Sequence, residues 1–144
     1  MCGFTGFTNK INDDGTVLGA MMNRIIHRGP DSAGQYVDGN IALGFRRLSI
    51  IDLADGDQPM FNEDRSMVLT FNGEIYNFKE LREELIAAGH TFANHSDSEV
   101  LLHGYEQWGT ELVKRLRGMY AFVIYNKKDG RLFGARDLFG IKPF

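Results

Sequence analysis

The sequence predicts an α+β fold built on antiparallel sheets. Two observations carry that reading: β-rich runs come in neighbouring pairs joined by tight turns, and helical patterns are grouped between the pairs. The opening MCGFTGF reads as a short strand whose glycines let another backbone or a ligand come close. Val17, Met21 and Ile25, with Leu18, Met22 and Ile26, repeat at i, i+4 and predict a helix that Gly29-Pro30 stops. Residues 34–37 and 41–48 are β-rich and flank Asp38-Gly39-Asn40, a hairpin signal. Residues 67–71 form an apolar strand that runs into Asn72-Gly73, read as a turn. Asn77 with Glu80, and Ser96 with Glu99, have capping-box spacing. They predict one helix with Leu81 and Leu85 inside, ended by Gly89, and a second running to Trp108 and Gly109. A short helix from Glu111 to near Gly118 follows, and strands 119–125 and 131–135 face each other across NKKDG.

The 144 residues suit one domain, and 43% hydrophobic with 24% charged residues is ordinary for a globular chain. Net charge is −3, which argues against a nucleic-acid partner; the densest basic stretch, Lys114, Arg115 and Arg117, reads as a solvated helix face. No apolar run approaches the ~20 residues a membrane helix needs. The first residues lack the charged start and apolar middle of a signal peptide, so the expected setting is cytoplasmic. The chain ends on FGIKPF without losing apolar character, which leads us to expect a fragment of a longer protein.

One cysteine excludes an intrachain disulfide. A lone cysteine is ordinarily a small buried hydrophobe, but chain ends seldom fill a core, so Cys2 needs another account. A nucleophilic thiol requires a base. His27, His90, His95 and His103 lie on or beside predicted helix ends with no shared pattern, and no metal-ligand cluster or phosphate loop is visible. Removal of Met1 supplies a base instead. A free α-amine titrates at about 7.7–8.0 and a thiol at about 8.5, close enough to exchange a proton near neutral pH.

The segments MCGFTGF, HRGPD (27–31), FRRLSIIDL (45–53), FNGEIYN (71–77), SDSE (96–99), RLRGMYAF (115–122) and RDLFGIKPF (136–144) together resemble the glutaminase half of glutamine-hydrolysing asparagine synthases of the B type. The resemblance runs from the first residue to the last. Other class II glutamine amidotransferases share the starting Cys-Gly, an NG pair and an SD pair; HRGPD, RLSIID and NGEIYN mark this branch. It implies an amino-terminal-nucleophile (Ntn) hydrolase fold, a four-layer αββα sandwich of antiparallel sheets, here cut short at its C-terminus.

By the same resemblance, Cys2 is the nucleophile, and Asn72 with the Gly73 N–H forms the oxyanion hole. Arg47 binds the glutamine carboxylate with its planar fork, and Asp97 holds the ammonium group. Leu48, Ser49, Ile50 and Ile51, with Asn72, Gly73 and Glu74, line the pocket. Plain structural readings also exist: Arg47 as a surface strand charge, Asp97 as a favourable first-turn helix charge. Opposite charges suited to the two ends of an amino acid favour the pocket. Phe45 stands where the family often has His, and Ser98 where Thr is common; neither carries a role. No cofactor is implied here, since ATP and Mg belong to a following synthetase domain, and a homodimer is compatible. Alternatives are an amidotransferase with another acceptor, an acylase or peptidase sharing the Cys2 chemistry, and a silent glutamine-binding module.

Overall fold

A computed structural model describes residues 2–8, 15–48 and 57–144. The α+β class is as expected. The chain forms two compact units, one holding the described residues up to Pro59 with Thr70–Asn72, the other Met60–Leu69 with Gly73–Phe144.

The first unit centres on a three-stranded antiparallel sheet in the order β1-β3-β2, with β1 at Gly3–Thr8, β2 at Ser32–Val37 and β3 at Ile41–Arg47. The β2–β3 hairpin closes on Asp38, whose carboxylate accepts the N–H groups of Asn40 and Ile41. Helix α1 (Thr16–Arg24) buries Leu18 and Met22 against Ala42 of the central strand, with Phe7 and Val37 packed around them. Gly44 keeps that packing close, because a Cβ there would sit 2.6 Å from Met22 Cγ. A 3-10 turn at Ile26–Arg28 follows α1.

The second unit holds a four-stranded antiparallel sheet in the order β4-β5-β6-β7: β4 at Met60–Phe61, β5 at Met67–Ile75, β6 at Gly118–Asn126 and β7 at Arg131–Arg136. Strand β6 buries every residue from Tyr120 to Tyr125, the behaviour of a strand covered on both faces. Helices α2 (Phe78–Ala87) and α3 (Asp97–Trp108) pack on each other. Leu81 and Leu85 are the buried residues of α2, as the periodicity predicts.

Three local expectations are corrected. Asn72-Gly73 is not a turn: β5 continues through both residues to Ile75. Neither capping box forms. Asn77 makes no cap bond; its amide bridges to Arg115 O at 2.9 Å and to the Arg117 N–H at 2.9 Å, pinning the approach to β6. Ser96 also makes none, and Glu99 reaches back to the N–H groups of Ala93 (2.7 Å) and Asn94 (3.0 Å). At Asn77 partners 38 and 40 residues away replace the cap, whereas Ser96 Oγ is buried without a partner among the described residues and Glu99 bonds five and six residues back. The segment from Glu111 is a 3-10 helix, Gly109–Lys114. The basic face is paired locally, Lys114 with Glu111 and Arg115 with Glu84, and the Arg115 guanidinium stacks 4.0 Å above Trp108.

Candidate active site

Cys2 lies just before β1 and is part-buried. Its sulfur is held by the backbone of Leu48: the Leu48 N–H points at Sγ from 3.4 Å, and the thiol faces the Leu48 carbonyl at 3.8 Å. β1 pairs with β3 so that Gly3 stands opposite Arg46, which brings the start of the chain to the end of the central strand.

A residue that sequence reasoning passed over completes this corner. Arg28 donates its Nε–H to the Cys2 carbonyl at 3.2 Å. Its Nη2 is buried, with no hydrogen-bond partner among the described residues. Gly3 lets the guanidinium lie across β1, since a Cβ there would stand 3.1 Å from Arg28 Cδ and Nε. The signal was present in HRGPD, a charged residue trapped between a helix stop and a Gly-Pro. Gly29 has its own reason: a Cβ at that position would lie 2.4 to 2.5 Å from the Arg46 and Arg47 backbone. Only glycine lets this segment lie on β3, where Asp31 N–H bonds to Arg47 O at 3.1 Å.

The two arginines of β3 point to opposite faces, as successive strand residues must. Arg46 is spent on the C-terminal end of α1, donating to Met22 O (3.3 Å) and Asn23 Oδ1 (2.7 Å). Arg47 meets Asp57 at 3.5 Å, a partner whose side chain is 93% exposed. The Arg47 side chain is itself largely buried, so the pair joins a covered guanidinium to a solvent-facing carboxylate.

Asn72, Gly73 and Glu74 are consecutive on β5, with Asn72 buried. The odd-numbered N–H groups of this strand face one edge. Met67 N–H goes to Asn62 Oδ1 (2.8 Å), Phe71 N–H to Gln58 Oε1 (2.6 Å) and Ile75 N–H to Asp97 Oδ2 (2.8 Å). By the two-residue period, Gly73 N–H falls on that same edge. Among the described residues, β4 pairs with that edge at Val68 and Leu69.

Asp97 opens α3 and is tied by that bond to the end of β5. Burial pushes its carboxyl above the usual range, and the neighbouring charge of Glu74 adds to this; the Ile75 N–H works the other way. Ser49, Ile50 and Ile51, with Met1, lie outside the described residues. The histidines without a visible pattern are also placed: His90 and His103 come together around Glu106 in the second unit.

Two antiparallel sheets, and a cysteine ahead of β1 held by backbone, are the outline of a glutamine amidotransferase. A family model described as glutamine amidotransferase domain matches residues 1–144, and the chain belongs to that family. It is 52% identical to asparagine synthetase [glutamine-hydrolyzing] 1 of Bacillus subtilis (strain 168) over 99% of this chain and 23% of that protein. It is 44% identical to a probable asparagine synthetase [glutamine-hydrolyzing] of Dictyostelium discoideum over 99% of this chain and 26% of that one. The chain thus spans about a quarter of the length of these relatives. Among solved structures, the glutamine phosphoribosylpyrophosphate amidotransferase of B. subtilis, complexed with ADP and GMP, superposes with a TM-score of 0.59 at 26% identity, over 74% of this chain and 25% of that one. An allosteric regulatory enzyme of purine biosynthesis gives a TM-score of 0.60 at 28% identity, with the same coverage. Among the described residues, no helix is long and apolar enough to cross a membrane.

Proposed function

We propose that this domain hydrolyses L-glutamine to glutamate and ammonia through Cys2. In the longer protein, on this reading, the ammonia passes to a following synthetase domain that converts aspartate to asparagine with ATP and Mg. The glutaminase domain itself uses no cofactor, and the setting is cytoplasmic. The observation that carries the reading is the Cys2 sulfur held 3.4 Å from the Leu48 N–H, at the end of the strand that bears Arg47.

With Met1 removed, the α-amine takes the thiol proton and the thiolate attacks the side-chain amide carbon of glutamine. The C–N bond breaks as that proton is delivered to nitrogen, ammonia leaves and a γ-glutamyl thioester remains. Water, deprotonated by the same amine, adds to the thioester carbon and the thiolate departs, giving glutamate. Asn72 and Gly73 N–H meet the oxyanion, each donor of this kind being worth ~2.7–4 kcal/mol of barrier. Arg47 and Asp97 hold the carboxylate and ammonium ends, and Leu48 to Ile51 with Glu74 line the pocket. Arg28 is a positioning residue, fixing the Cys2 carbonyl so that sulfur and amine keep their orientation.

A glutamine-like diazo-ketone should alkylate Cys2, and free glutamine should be cleaved while its N-acyl analogue is not. Cleavage of the N-acyl analogue would favour an acylase or peptidase; binding of glutamine without labelling would favour a silent binding module.

A further inference from the structure

In the second unit, three side chains with no part in glutamine hydrolysis turn donor atoms toward one point. His103 and Glu106 stand three residues apart on one face of α3. His90 follows Gly89, whose φ of +101° turns the chain out of α2. Glu106 Oε2 lies 3.0 Å from His103 Nδ1 and 3.7 Å from His90 Nδ1, and a donor atom from each residue lies within 4.8 Å of the other two.

The outer atom of each residue also faces a partner. His90 Nε2 lies 3.1 Å from Gln107 Oε1, which leaves Nδ1 as the nitrogen that faces Glu106. Glu106 Oε1 accepts from Asn62 Nδ2 at 2.7 Å. His103, 1% exposed, turns its unbonded Nε2 toward Glu99 Oε1 at 3.6 Å and Glu63 Oε1 at 3.7 Å. Metal-binding histidines characteristically give their second nitrogen to a carboxylate or carbonyl in this way.

We propose that His90, His103 and Glu106 form a binding site for a divalent cation of the zinc class. The donor set is two imidazoles and one carboxylate, which suits zinc with a water in the fourth position. Bonds of ~2.0–2.1 Å in a tetrahedron put ligand atoms ~3.3–3.4 Å apart, and the separations to Glu106 of 3.0 and 3.7 Å bracket that value. The wider His90–His103 separation closes by rotation of His90, which stands outside both helices. The side chains of His90 and Glu106 are 18% and 22% exposed, so the fourth position opens to solvent. His103 would bind through Nδ1, which leaves Nε2 facing the carboxylates of Glu99 and Glu63. The ion staples the segment after α2 to α3.

The test is calorimetric titration of the untagged, chelator-treated full chain with Zn²⁺ alone, in a Cys2→Ser background that removes the thiolate as a competing ligand. Co²⁺ absorption reports the coordination. We expect saturable binding at one site and a visible cobalt band. His90→Ala and Glu106→Gln should each lose more than the ~10–100-fold in affinity that removal of an outer partner alone costs, with the melting of the metal-free protein unchanged for His90→Ala. Absence of saturable binding, or unchanged affinity in His90→Ala, would overturn the proposal and leave the cluster a protonated ion network.

Discussion

The surroundings of Cys2 and of α3 are organised by opposite means. Around Cys2 the contacts run through main chain: Leu48 brackets the sulfur with its N–H and C=O, Arg28 binds a carbonyl, and Gly29 lets two backbones lie together. Around α3 they run through side-chain charge. Asp97 holds β5, Glu99 holds the approach to its own helix, and Glu106 joins Asn62 to His103. Backbone contacts make a site indifferent to most neighbouring substitutions and intolerant of a few glycine replacements. Carboxylate contacts make the second region sensitive to proton concentration.

The largest expected effect sits on the backbone side. Cys2→Ala should reduce glutamate production from glutamine to background, a loss on the order of 10⁴-fold or more in kcat. Protein that retains Met1, verified by N-terminal mass spectrometry, should be equally inactive because its base is tied up in a peptide bond. Active protein with Met1 attached would refute the self-base mechanism.

The α3 side predicts a smaller, pH-dependent change. Asp97→Asn should raise KM for glutamine ~10–100-fold, the range of one charged hydrogen bond. In the parent, burial raises the Asp97 carboxyl, so acidification should neutralise it and raise KM at a pH above the ordinary carboxylate range. Steady-state kinetics across pH checks this. The raised value means the folded state holds that proton more readily than the unfolded one, so ionisation costs stability as pH rises. Asp97→Asn should then melt no lower than the parent at neutral pH; a marked drop would assign the residue to the fold rather than to substrate.

Gly29→Ala gives the mildest effect and tests the main-chain contrast directly. A methyl 2.4 to 2.5 Å from the Arg46–Arg47 backbone should cost about 1–3 kcal/mol of stability and shift KM more than kcat, since Arg47 moves with it. Denaturant titration beside kinetics separates the two, and an unchanged midpoint would deny the close approach.

Most of the strands and helices could be read from periodicity, because Leu18 and Met22 of α1, or Leu81 and Leu85 of α2, must share a face to be buried at all. The two residues of β4 were not legible; so short a strand has no period to detect. Asn72-Gly73 misled because its composition matches a turn while its neighbours, Phe71 and Ile75, are both buried strand residues. The capping spacings were real, but Asn77 and Glu99 found partners that no local rule contains. Arg28 and the His90–His103 pair depend on chain segments meeting in space. The i, i+3 spacing of His103 and Glu106 was the one visible hint.

Keeping Asn72-Gly73 extended has a chemical consequence. An asparagine followed by glycine loses its amide by ring closure when the glycine nitrogen can swing onto the side-chain carbonyl, a movement that strand geometry forbids. β5 thus protects Asn72 from slow deamidation while it stays folded. The age-dependent appearance of aspartate at that position becomes a clock for how often the strand opens.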